Sequence, residues 1–81
     1  MSIKAVGDAF RKGIGEKATC SGATMHYERG DQGTESQVLS FDVQPDGGER
    51  QTFTYKIDGR ADPVACARDA AEHYLQSIEQ H

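Results

Sequence analysis

Eighty-one residues, 36% of them apolar, suffice for one small domain, which leaves little volume for a deep substrate cavity. Thirteen acidic residues against nine basic ones give a net charge of −4, a surface that repels phosphate backbones over most of its area. No apolar run reaches membrane-spanning length, no hydrophobic signal core stands near Met1, and Cys20 and Cys66 are too few for a disulfide framework, so the expectation is a cytoplasmic protein with two free thiols.

The elements follow from a change of period along the chain. Ile3, Val6, Phe10 and Ile14 recur at helical spacing, which predicts a first helix over about 2–12, capped by Ser2 and ended by Gly13 and Gly15. From Ala18 the period becomes two: Ala23, Met25 and Tyr27 alternate with Thr24, His26 and Glu28. Past the loop Gly30-Asp31-Gln32-Gly33, the apolar positions are Leu39, Phe41 and Val43; past the turn Pro45-Asp46-Gly47-Gly48, they are Phe53, Tyr55 and Ile57. Strands over about 18–29, 37–44 and 50–58 form an antiparallel meander with one apolar and one wet face. Asp62-Pro63 opens a closing helix over about 63–79, whose stripe of Val64, Ala67, Ala71, Tyr74, Leu75 and Ile78 is built to pack on the sheet. The predicted fold class is α+β in the order α-β-β-β-α, with both helices on one face of the meander.

Four groups of residues invite a chemical reading. Cys66, Asp69 and His73 share the polar side of the last helix, but seven residues set Cys66 and His73 roughly 10 Å apart along the axis. Zinc bonds of about 2.0–2.3 Å do not join both to one ion, and the same gap keeps the imidazole from activating the thiol. His26 and Glu28 are neighbours on the wet face of the first strand, with no nucleophile placed beside them. The glycines at 30, 33, 47 and 48 lack a phosphate-loop pattern and serve as turns. Tyr27, Phe41, Phe53 and Tyr55 have the look of a base-stacking platform, yet all four fall on the alternation assigned to the core. No catalytic residue, metal or cofactor is expected.

Helix, three strands and helix is the order of the double-stranded RNA-binding domain, and Ala70-Ala71 followed by Tyr74-Leu75 resembles the alanine-rich end of that family's second helix. Where that family places a lysine cluster, this chain has Asp62-Pro63-Val64-Ala65, and the loop after Tyr27 has no Gly-Pro-x-His signature. The resemblance therefore implies a shared plan without direct nucleic-acid contact, acting as a dimerisation or adaptor module. In size, acidity and plan the chain is also similar to small phage-encoded inhibitors of the anti-CRISPR type. That resemblance implies a non-enzymatic module meeting a basic protein surface on a nucleoprotein effector.

Charge along the chain points to the same contact set. Residues 28–62 hold eight acids against four cations, whereas residues 1–17 are locally basic. Glu28, Asp31, Glu35, Asp42, Asp46 and Glu49 are the expected partner-binding residues.

Overall fold

The structure is a computed structural model that describes residues 3–79. Ser2, the expected cap of the first helix, and His81 lie outside the described residues. Helix α1 spans Ile3–Ile14, strand β1 Ala18–Arg29, β2 Glu35–Pro45, β3 Gln51–Asp58, and helix α2 Pro63–Glu79. The strands form an antiparallel sheet in the order β1-β2-β3, with both helices on one face, as the alternation required. Among the described residues no helix is long and apolar enough to cross a membrane.

The core lies between that sheet face and the helix pair. Val6, Phe10 and Ile14 of α1 are buried with Leu39, Phe41 and Val43 of β2 and with Ala67, Ala70, Ala71 and Tyr74 of α2. Phe10 stacks flat on Phe41, ring centroids 3.8 Å apart and planes within 6°. Each such buried side chain contributes roughly 1.5–3 kcal/mol of hydrophobic stabilisation. Small residues let the two helices meet. A Cβ on Gly13 would stand 2.5 Å from the Cβ of Ala71, so the backbones approach where neither carries bulk.

Gly13 is thus inside α1 and does not end it. The helix continues to Ile14, and Gly15, with φ of 62°, is the terminator, its N–H donating to the Arg11 carbonyl at 3.1 Å. At the start of α2 the local signals act as expected. The Asp62 carboxylate accepts from the Val64 N–H at 3.1 Å, and Pro63 fills the first helical position.

Two departures come from β1. A bulge at Ser21 interrupts its register between Cys20 and Gly22. The extra residue flips the parity of the strand, so Ala18 and Cys20 before it and Ala23 and Met25 after it all lie against the core. The second departure is Tyr27. It continues the inward alternation but is 62% exposed, because α1 does not reach it and α2 packs over β2 and β3. Twelve helical residues reach only about 18 Å, and twelve strand residues about 40 Å. Gly7 of α1 already sits level with Ala23, so the last turns of β1 run on past the helical layer. That overhang sets the long dimension of the molecule, which measures 42 × 26 × 17 Å.

Candidate functional site: the β1–β2 hairpin end

The overhanging end of the meander is closed by a short 3-10 turn, Asp31–Gly33. Gly30 N–H donates to the Thr34 carbonyl at 2.8 Å, and the Thr34 hydroxyl to the Asp31 carbonyl at 3.3 Å. The chain reverses there through two left-handed residues, Gln32 with φ of 67° and Gly33 with φ of 77°. Beside the turn, Gly59 donates to the Glu35 carbonyl at 3.1 Å and comes so close that a Cβ on it would meet that oxygen at 3.0 Å. Gln37, the buried polar side chain of the core face, fastens the loop that leads into α2. Its amide nitrogen lies 3.3, 3.0 and 3.1 Å from the carbonyls of Asp58, Gly59 and Ala61. β2 and the loop into α2 are therefore tied together at this end, although the surrounding side chains face water.

Those side chains are an aromatic ring and carboxylates. Tyr27 stands exposed on the overhang, with Met25 half-buried behind it. Glu28, Asp31 and Glu35 surround the hairpin end, joined by Asp58 at the end of β3 and Asp62 in the loop after it, against Arg29, Lys56 and Arg60. Two of the acids are partly neutralised within the chain. Glu28 holds His26 at 3.4 Å through one oxygen and Lys56 at 3.7 Å through the other; Glu35 lies 3.9 Å from Arg29. All these groups are at least half exposed, so each pair contributes at most about 1 kcal/mol. Asp31 has no ion pair among the described residues. A depression of about 420 Å³ lined by Gly33, Thr34, Glu35, Asp58, Gly59 and Arg60 lies between the hairpin and the β3–α2 loop.

The six acids singled out in the sequence do not gather in one place. Glu28, Asp31 and Glu35 meet at the hairpin end. Asp46 and Glu49 occupy the β2–β3 turn at the opposite end of β2, about 35 Å away for eleven extended residues. Asp42 stands between them on the open sheet face, where it accepts from the Thr52 hydroxyl at 3.4 Å and leans over Gly22. The open face carries a row of hydroxyls, Thr24, Ser40 and Thr54, and one buried apolar residue, Val38, shielded between His26 and Lys56.

No family model, curated protein or solved structure matches this chain.

The other sequence candidates are dispersed by the fold. Cys66 is half-buried against the core margin and so leaves the polar side of α2, while Asp69 and His73 stay exposed. The His73 ring instead lies 5.3 Å from Tyr55. Burial pushes the Cys66 thiol up, and Asp69 and Asp62 push it further, the reverse of what an activated nucleophile needs. Cys20 is also raised, chiefly by burial, while its thiol donates to the Gly22 carbonyl at 3.3 Å. No trio of metal-ligating side chains converges among the described residues. Phe41 is buried, and Phe53 and Tyr55 pack half-buried on the core, as the alternation implied; Tyr27 is the aromatic that sequence reasoning placed wrongly. The signal that would have found it is arithmetic: the first helix is too short to cover a twelve-residue strand.

Proposed function

We propose that this chain is a non-enzymatic acidic protein-binding module that presents its β1–β2 hairpin end to a cationic partner. The observation that carries this reading is Tyr27, an exposed aromatic on β1 opposite the anchored Gln37, with Glu35 on its own side of the sheet, Asp31 in the adjoining turn and Glu28 on the other face. An aromatic anchor ringed by polar groups is the common anatomy of an interface hot spot. Its face takes a guanidinium or ammonium, while the carboxylates accept bidentate hydrogen bonds from arginine. The partner chemistry that fits is a groove lined by lysine and arginine. On a nucleic-acid-handling assembly such a groove is occupied by phosphates, and a protein that fills it with carboxylates inhibits by exclusion.

The test is a comparison of variants against whatever basic protein the chain captures from a lysate. Tyr27→Ala should weaken that association about thirtyfold, and Asp31→Asn combined with Glu35→Gln about tenfold with a flatter salt dependence. Unchanged affinity in both variants would refute the assignment of the hairpin end. Tight binding of the unmodified chain to bare duplex or single-stranded polynucleotide at physiological ionic strength would refute the choice of partner.

A further inference from the structure

Both outer strands of the meander have an unpaired side, but the two sides are differently defended. On β1 the Ser21 bulge breaks the line of the edge, and Arg11 Nε donates to the Cys20 carbonyl at 3.0 Å. β3 has neither device. Its one lysine, Lys56, is drawn back across the polar face to Glu28, 3.7 Å away, leaving the rim of the strand clear. Phe53, Tyr55 and Ile57 line that rim half-buried, with their outer sides still wet.

The hydrogen-bond phase of the edge follows from one contact. Gly59 N–H donates to the Glu35 carbonyl, continuing the ladder in which Asp58 lies opposite Ser36. Antiparallel partners alternate between bonded and non-bonded pairs, so odd-numbered residues of β3 direct their backbone groups to β2. Thr52, Thr54 and Lys56 turn theirs outward, whereas the Asp58 carbonyl is already taken by the Ala61 N–H at 3.0 Å.

We propose that β3 pairs antiparallel with β3 of a second copy about a two-fold axis through Thr54, joining two three-stranded sheets into one. This register keeps polar residues on one face and apolar residues on the other. It sets Phe53 of each copy opposite Tyr55 of its partner, and Arg50 opposite Asp58 at both ends of the new ladder, where the Arg50 guanidinium exchanges its 2.8 Å hydrogen bond to the Ser21 hydroxyl for the partner's carboxylate. Lys56 falls opposite Thr52, so no like charges meet. Neighbouring registers are worse. An axis at Tyr55 sets Arg50 against Arg60, one at Phe53 sets Arg50 against Lys56, and one at Lys56 sets that lysine against itself. Registers centred between residues would pair the two faces with each other. Charge and phase together select Thr54. This inference is independent of the hairpin-end reading, because it uses the opposite side of the sheet from β1.

Sedimentation of the full chain from micromolar to submillimolar concentration tests it. The unmodified chain should shift from monomer to dimer. Arg50→Glu, which places like charges opposite Asp58, should weaken the dimer about tenfold or more, and adding Asp58→Lys should restore it. Thr54→Pro should abolish it with the circular dichroism spectrum retained, because the Thr54 N–H turns away from β2 and has no partner among the described residues. A chain that stays monomeric throughout, a dimer indifferent to Arg50→Glu, or one that survives Thr54→Pro would each overturn the proposal. Should the proline variant fail to fold, the charge exchange between positions 50 and 58 decides alone.

Discussion

Gly13 and Gly7 sit six residues apart on α1 and answer to opposite constraints. A methyl group on Gly13 would be driven into Ala71 at 2.5 Å, where two helix backbones meet and neither side yields. On Gly7 the same methyl would meet the Ala23 Cβ at 3.4 Å, an ordinary contact, with the flexible Arg11 guanidinium beside it. Gly13→Ala is therefore expected to lower stability by about 1–3 kcal/mol through overpacking, in spite of alanine's better helix propensity. Gly7→Ala is expected to raise it by up to about 1 kcal/mol. Urea denaturation of the two variants side by side checks both signs. The pair also shows what a sequence conceals. Glycine serves by its freedom at Gly15 and by its lack of bulk at Gly13, and the letter is the same in each. Only the packing partner, fifty-eight residues away along the chain in the case of Ala71, separates the two uses.

Helix α2 was readable before it was seen because its determinants are local. Capping acid, proline at the first position and an apolar stripe at helical spacing all fall within one stretch of chain. Asp62→Ala should cost about 1 kcal/mol, visible as a fall in melting temperature, since the Val64 N–H loses its acceptor. Strand β2 was readable for a different reason: it is central, and Leu39, Phe41 and Val43 are covered by both helices. Strand β1 was read less well. The Ser21 bulge reverses which residues face inward, and Gly22 beside it is only a weak local signal, because the insertion is defined by the partner strand and not by β1 itself. Val38 is buried on the face marked as wet, since a central strand's side chain is roofed by its neighbours whatever its place in the alternation.

Taken as one body, the protein is a compact helical layer on a sheet longer than that layer. Amide exchange should register the mismatch. Protection is expected to be high from Ala18 to Ala23, under α1, and to fall from Tyr27 to Arg29 despite unbroken pairing with β2, because no helix among the described residues packs over that stretch. Hydrogen exchange resolved to short segments would show the gradient; uniform protection along β1 would contradict it. The length mismatch also explains why the candidate site was only half visible in the sequence. Acidic residues 28–62 form one block in the chain, but a hairpin folds that block in two and sends Asp46 and Glu49 to the far end from Glu28, Asp31 and Glu35. Charge was readable from composition, whereas its position depended on where the strands turn.

The overhang has a consequence for how such a molecule is altered. Side chains beyond Met25 on β1 contribute little to the core, which rests on Phe10, Phe41 and Tyr74, and are left to the proposed interface. Replacing the tip leaves the scaffold's folding determinants in place, so the same small frame accepts a new recognition element at that end with little stability at risk.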